Sequence, residues 1–237
     1  MHHVIAERFL ITFLLQIEGE YKKLPSEIYY LHQLAAVSGV IHYFDWWFEE
    51  SKLIIITELP PNFINLHQYV SENGPIPELE ARRIFQQILT TVVQMIKLEV
   101  FHRDLRLSNI VLYEEDGLKV PYIIGFDFTT TYDETRMFHR LIGTRHHFPP
   151  EFHLTGNYTC QGHTTWNLGC LLFEMLTGMV KFDQNGKAFA GSQYPDFLSA
   201  EVRNLIDSCF EPNWKNRASI ENIINHDWMS LESSAFL

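Results

Sequence analysis

The sequence predicts an α+β fold in which a small, strand-rich first part precedes a larger, mainly helical second part. Short apolar runs at residues 9–17, 41–48 and 53–57 are typical of buried strands. A polar turn joins the last two runs, which predicts a hairpin. From Glu58 onward the apolar spacing becomes helical, so the two kinds of structure follow one another along the chain.

Three segments account for the predicted helices. Pro25-Ser26-Glu27 opens a helix in the first part that extends to about residue 36. Pro77-Glu78 opens a longer one, on which Ile84 and Ile88 belong to an apolar face that recurs every four residues. Residues 170–176 are an apolar run apart from Glu174, which predicts a helix buried on all sides.

The composition is that of an ordinary folded protein, with 237 residues of which 46% are apolar. The net charge of −11 disfavours nucleic acid and acidic membranes as partners and suits a basic peptide. Three cysteines show no paired spacing, which predicts reduced thiols. We expect a monomer with a single domain over residues 1–237, located in the cytoplasm with access to the nucleus, and without nucleic-acid or membrane partners.

The most informative motif is residues 102–109, His-Arg-Asp-Leu-Arg-Leu-Ser-Asn. It places a carboxylate and an amide five positions apart, the spacing that phosphoryl transfer from ATP requires. The motif resembles the catalytic loop of protein kinases. That resemblance implies a two-lobed protein-kinase-like fold, with residues 1–58 as an incomplete N-lobe and 59–237 as the C-lobe. It also implies ATP and Mg²⁺ (or Mn²⁺) as cofactors and a protein hydroxyl as the acceptor.

Within that loop the resemblance gives each residue a role. Asp104 would accept the proton of the attacking hydroxyl, and Asn109 would hold a metal ion against the phosphates. Arg106 would supply the positive charge that Ser/Thr kinases usually place on a Lys at this position. His102 and Arg103 would have structural roles.

A second motif, residues 125–129 (Gly-Phe-Asp-Phe-Thr), follows a predicted hairpin and corresponds to the kinase Asp-Phe-Gly. In the preferred register Asp127 binds the metal and Phe128 packs under the regulatory helix. In the alternative register Gly125 takes the place of the metal-binding Asp, and the motif then has no metal ligand. Both registers remain open on the sequence.

Gly143-Thr144-Arg145 and Pro149-Pro150-Glu151 resemble the closing half of a kinase activation segment. Arg217 matches the arginine that pairs with the glutamate of such a segment. The resemblance therefore implies a largely buried ion pair between Glu151 and Arg217, two residues far apart in the sequence.

A closer resemblance is to the Pim family of Ser/Thr kinases. Residues 38–41 leading to Asp45-Trp46, and residues 58–61 (Glu-Leu-Pro-Pro), carry it together with the activation segment. The resemblance implies that Glu58, Leu59 and Pro60 form the hinge against adenine and that Val111 borders the nucleotide. Pro60 would remove a backbone N–H donor that other kinases offer.

The N-terminal part departs from the kinase pattern. Glu27 matches the glutamate of the regulatory helix, but the first seventeen residues contain no Gly and residues 9–17 contain no Lys. Two interpretations follow: a Ser/Thr protein kinase that is weak or incomplete in this chain, or an inactive pseudokinase that serves as a binding scaffold.

The histidines predict no further site. His146-His147, and Cys160 with His163, lack a second pair of ligands at a suitable spacing. We therefore expect no structural metal site in this chain.

Overall fold

The computed structural model describes residues 2–5, 12–17, 20–49, 52–58, 62–188 and 193–230. In chain order the strands are β1 (His2–Ile5), β2 (Thr12–Ile17), β3 (Glu20–Pro25), β4 (Tyr43–Glu49), β5 (Lys52–Thr57), β6 (Ile64–Asn65), β7 (Val100–Phe101), β8 (Ile110–Glu115), β9 (Leu118–Ile123) and β10 (Thr130–Thr131). The helices are α1 (Ser26–Gln33), α2 (Leu66–Asn73), α3 (Glu78–Lys97), α4 (Pro150–Thr155), α5 (Cys160–Thr177), α6 (Ala200–Cys209), α7 (Ile220–Ile224) and α8 (Asp227–Ser230).

The first part contains the small sheets that the apolar runs predict. β4 and β5 form the expected antiparallel hairpin, with Glu49 opposite Lys52. β1 pairs with the other edge of β5, and β2 and β3 form a separate two-stranded ribbon. The strand predicted at residues 9–17 is β2 from Thr12 onward, and its earlier residues lie outside the described ranges.

The second part is mainly helical and is built around α5. Every residue of α5 except Gln161 is buried, because α3, α6 and the loop before β8 pack on it. The all-round burial predicted for residues 170–176 thus extends over almost the whole helix. α3 begins after Pro77 as predicted and buries one face against this core. The predicted α+β class is confirmed.

Other expectations about the whole chain remain predictions. Residues 59–61, where the two lobes were expected to meet, lie outside the described ranges. Among the helices of the described part, none has the length and hydrophobicity needed to cross a membrane.

The predicted ion pair between Glu151 and Arg217 is present and buried. Arg217 Nη1 and Nη2 donate to the two carboxylate oxygens of Glu151 at 2.9 and 2.8 Å. Arg217 also donates to the carbonyl oxygens of Gly162 and Glu211, both at 2.9 Å. Because both charges are paired bidentately and the remaining guanidinium donors have partners, burial of the pair is tolerated.

We expect the Glu151→Ala substitution to destabilise the protein by ~3–5 kcal/mol, because it leaves a buried guanidinium without its counter-charge. Urea unfolding of the variant beside the parent measures this difference. Glu201→Ala, which removes an exposed carboxylate from α6, is the matched control and should change stability by less than about 1 kcal/mol. Equal unfolding midpoints for the two variants would show that the pair contributes little.

Candidate active site

The loop that carries the His-Arg-Asp motif lies between β7 and β8, in the body of the second part. Arg103 adopts a φ of +71°, a left-handed conformation that costs a non-glycine residue about 1–3 kcal/mol. Its guanidinium is held in place by the Tyr158 hydroxyl at 2.8 Å and lies over the Phe138 ring, 5.2 Å from the centroid. These contacts with the later chain stabilise the strained turn that presents Asp104.

The Asp104 side chain is only 3% exposed and accepts three hydrogen bonds. The donors are Thr144 N at 2.9 Å, Arg106 Nε at 3.1 Å and Asn109 Nδ2 at 2.9 Å. Burial raises the pKa of Asp104, but the hydrogen bonds from Thr144 and the charge of Arg106 outweigh it, and the net pKa is lowered. The carboxylate is therefore ionised at neutral pH, as a proton acceptor must be.

The activation segment approaches the loop that carries Asp104 very closely at Gly143. A Cβ on Gly143 would lie 2.6 Å from the Arg103 carbonyl oxygen and 3.4 Å from Asp104 Oδ1. Only glycine fits there, and its φ of +117° is also one that other residues rarely adopt. This approach brings the Thr144 N–H within reach of the Asp104 carboxylate.

Asn109 lies beside Asp104, as predicted. Its Nδ2 donates to the Asp104 carbonyl oxygen at 2.7 Å and to Oδ2 at 2.9 Å. This fixes the orientation of the amide and leaves Oδ1 as the atom that points away from the loop. Oδ1 lies next to Gly125, where an added Cβ would be 2.8 Å away.

The residue after Gly125 packs into the core in the way that the alternative register expects. Phe126 is fully buried, and its ring centroid lies 4.9 Å from that of His102. His102 donates from Nε2 to the Ile124 carbonyl oxygen at 3.0 Å and accepts the Asp104 N–H at Nδ1. Burial lowers the pKa of His102 to about 4, which keeps the imidazole neutral. Phe126 thus holds the catalytic loop to the second motif.

Asp127, in the same turn, is close enough to Glu27 on α1 for its charge to act on the Glu27 carboxyl. Glu27 is buried, and burial together with the nearby Asp127 charge raises its pKa to about 8, although a hydrogen bond from the Phe126 backbone opposes the shift. One carboxylate oxygen of Glu27 has no hydrogen-bond partner among the described residues. The 3₁₀ turn 126–128, which also contains Phe128, packs against α1.

The predicted nucleotide-binding residues are described only in part. Glu58 donates its backbone N–H to the His42 carbonyl oxygen at 2.8 Å, and its exposed carboxylate lies 3.6 Å from His42 Nδ1. Leu59 and Pro60 lie outside the described ranges. Val111 is buried on β8 between Asn65 of β6 and Tyr122 of β9. The contact of these residues with a nucleotide stays a prediction.

Comparison with known proteins agrees with this geometry. The model of the protein kinase domain family matches residues 14–229. The chain belongs to this family. It is 33% identical to the serine/threonine-protein kinase prk-2 of Caenorhabditis elegans over 92% of this chain and 49% of that protein. It is 31% identical to the serine/threonine-protein kinase pim-2 of Danio rerio over 92% of this chain and 72% of that protein. It is 32% identical to the putative sperm motility kinase W of Mus musculus over 74% of this chain and 36% of that protein.

Protein kinases use ATP with a divalent metal, and the residues described here fit that group poorly. Mg²⁺ prefers oxygen ligands and is held in kinases by an Asp carboxylate and an Asn amide. Asn109 offers its Oδ1, but the residue that faces this oxygen is Gly125, which has no side chain. Strands β1 and β2 also contain no Lys that could pair with Glu27 and orient the phosphates. The proton-accepting half of the kinase site is thus present, whereas the position beside Asn109 Oδ1 is taken by a glycine, which offers no carboxylate.

One cluster of potential ligands in this kinase domain has no local sequence motif. His146 and His147, on the 3₁₀ turn 145–147, lie beside Glu174 on α5. The two histidines were expected to form no metal site, because the sequence shows no second pair of ligands at a suitable spacing, and Glu174 is 27 residues from His147. The available signal was a single carboxylate within the apolar run 170–176, where an acidic residue requires a buried partner.

We expect the Glu27→Gln substitution to leave stability nearly unchanged at pH 4.5 and to raise it by a few kcal/mol at pH 8.5. The folded state holds the Glu27 proton up to about pH 8, whereas the unfolded chain releases it near 4.5, so this contribution to stability is lost as pH rises between these values. Gln keeps the acceptor for the Phe126 N–H and never ionises. Urea unfolding of the parent and the variant between pH 4.5 and 8.5 measures this effect. A difference in the free energy of unfolding that does not change with pH would contradict the raised pKa of Glu27.

Proposed function

We propose that this chain is a pseudokinase, a kinase-fold binding protein in which phosphoryl transfer is far below the rate of an ordinary Ser/Thr kinase. The observation that carries the proposal is the position of Gly125 against Asn109 Oδ1. The burial of Phe126 against His102 supports the same register, in which glycine replaces the metal-binding aspartate. Asp127 then falls one position beyond the motif's Phe, next to Glu27.

The size of the expected loss follows from the missing groups. Removal of one preorganised charge-stabilising group costs ~10²-fold in rate, so loss of both the metal carboxylate and the strand lysine amounts to ~10⁴-fold. In this proposal the function is binding, and a partner recognises the surface of the C-lobe.

Slow Ser/Thr protein kinase activity is the second candidate. The ionised Asp104, with its three hydrogen bonds, favours it, because such a carboxylate can orient and deprotonate a hydroxyl.

For the pseudokinase and for the slow kinase alike, we propose a basic protein or peptide as the partner, since the chain carries a net charge of −11. The three cysteines are free and buried, which supports a location in the cytoplasm with access to the nucleus.

We expect the purified chain to transfer phosphate to a basic Ser/Thr peptide ~10⁴-fold more slowly than an ordinary kinase, and Asp104→Asn to abolish that transfer. Nucleotide affinity should be unchanged in the variant, because Asp104 acts on the acceptor hydroxyl and not on ATP. Radiolabel transfer and an ATP-dependent thermal shift measure the two quantities. Transfer at an ordinary rate would refute the pseudokinase proposal, and transfer that persists in the variant would reveal a contaminating kinase.

A gain-of-function variant tests the register directly. Gly125→Asp should increase Mg²⁺-dependent transfer by ~10²-fold, because it places a carboxylate beside Asn109 Oδ1 once the Asn109 side chain shifts to relieve the 2.8 Å approach of the new Cβ. Asp tolerates the left-handed conformation at this position, where φ is +77°, better than most residues. Gly125→Ala is the matched control, since it introduces the same Cβ without a carboxylate. If both variants behave alike in nucleotide binding and in transfer, Gly125 does not occupy the metal position.

A further inference from the structure

A cluster of three potential metal ligands lies at the junction between the activation segment and the central helix. His146 and His147 come from the 3₁₀ turn 145–147 and Glu174 from the last turn of α5. One ligand atom from each residue lies within 4.8 Å of the other two. These residues lie outside the catalytic constellation of Asp104, Asn109 and Gly125.

Two of the three ligands are held rigidly. His147 and Glu174 are both buried, with His147 Nε2 at 2.7 Å from Glu174 Oε1. The His147 carbonyl oxygen accepts a hydrogen bond from Asn167 Nδ2 at 2.8 Å, which fixes the turn to α5. His147 Nδ1 is buried and has no hydrogen-bond partner among the described residues. The hydrogen bond to Glu174 is thus the only polar contact of this ring in the described part of the chain.

The third ligand is more accessible. The His146 ring is half-buried, and its centroid lies 4.4 Å from that of His147. Other groups that act on His146 are Asp104 and Arg106 of the catalytic loop. The Arg106 charge opposes cation binding, and the Asp104 carboxylate favours it. His146 is the one of the three ligands that is not buried, so a ligand exchange position on its side of the cluster would be open to solvent.

We propose that His146, His147 and Glu174 form a Zn²⁺ site that joins the activation segment to α5. Two imidazoles and one carboxylate are the ligand set of open zinc sites, in which water or a substrate group takes the fourth position. Tetrahedral zinc with bonds of about 2.0–2.2 Å separates its ligand atoms by roughly 3.3 Å. Binding thus requires the 2.7 Å pair to open slightly and His146 to move inward by rotation of its side chain.

The proposal has a structural consequence that does not depend on phosphoryl transfer. Zinc would replace the hydrogen bond between His147 and Glu174 by three coordinate bonds, two from the turn 145–147 and one from α5. The turn follows directly on Thr144, whose N–H binds Asp104. Bound zinc would therefore stabilise the folded protein and restrain the segment that contacts the catalytic loop.

Titration of the untagged, chelator-treated protein with Zn²⁺ tests the site, with calorimetry for stoichiometry and thermal unfolding for stabilisation. We expect one ion per chain, a raised Tm, and binding about 100-fold weaker or more in His146→Gln and Glu174→Gln. His146 is half-exposed, so its variant decides the outcome if the Glu174 variant does not fold. The control is the His2→Gln/His3→Gln double variant, which removes the other adjacent histidine pair and should bind as the parent does.

Co²⁺ provides an independent spectroscopic readout, because a four-coordinate nitrogen–oxygen site gives visible d–d absorption without thiolate charge transfer. A parent protein without stoichiometric zinc binding would overturn the proposal. So would unchanged affinity in His146→Gln, loss of binding in the His2/His3 control, or a thiolate band that places the ion on a cysteine.

Discussion

The burial of α5 is the constraint on which the rest of the second part depends. A helix that is buried on nearly every side gives its polar groups little access to water, so those that are hydrogen-bonded take their partners from the chain packed around it. Gly162 accepts from Arg217, Asn167 donates to the turn at His147, and Glu174 binds the His147 ring. These few bonds determine where the activation segment lies, and that segment in turn contacts Asp104.

Asp104 has a structural role beside its chemical one. Its carboxylate satisfies the Thr144 N–H, the Asn109 amide and the Arg106 guanidinium. If it were replaced by an apolar residue, these donors would lose their acceptor in a buried environment, which costs about 1–3 kcal/mol for each neutral group. A chain of this family that no longer transfers phosphate therefore still has a physical use for Asp104 and Asn109. The intact loop alone does not establish an enzyme, and Gly125 is the more informative residue.

Local pattern was sufficient for part of the fold. The β4–β5 and β8–β9 hairpins, the start of α3 after Pro77 and the buried α5 all follow from periodicity and turn chemistry within short windows. The pairing of Glu151 with Arg217 was predicted from a resemblance, because no local rule connects residues so far apart. What the sequence left open was whether Asp127 or Gly125 takes the metal-binding position. Both registers satisfy the one-dimensional pattern, and the contact of Phe126 with His102 is a three-dimensional observation that favours the second.

Two other features arise from residues that are close in the fold but far apart in the sequence, so no local pattern predicts them. Glu27 matched its family position, but its raised pKa arises from burial and from Asp127, which is 100 residues away in the chain. His146 and His147 had no ligand partner until α5 brought Glu174 beside them. Spacing rules detect ligand sets that lie on one loop or helix, and they fail when the third ligand comes from another element.

The buried histidines and Glu27 make stability depend on pH in opposite directions. His102 and His163 are buried, and burial lowers their pKa values to about 4 and about 3, so their contribution to stability is present above the ordinary pKa of 6.5 and is lost as pH falls below it. Glu27 contributes stability at low pH, which is lost as pH rises from 4.5 towards 8. As pH rises from 4.5 to 6.5, the stability gained from the histidines opposes the stability lost at Glu27. From pH 6.5 to 8 the loss at Glu27 acts without opposition from the two histidines.

In a kinase with the strand lysine, a fixed positive charge would neutralise Glu27 at every pH in this range. Here a proton takes that role, so ionisation of Glu27 as pH rises towards 8 removes its contribution to stability at the contact of α1 with the turn 126–128.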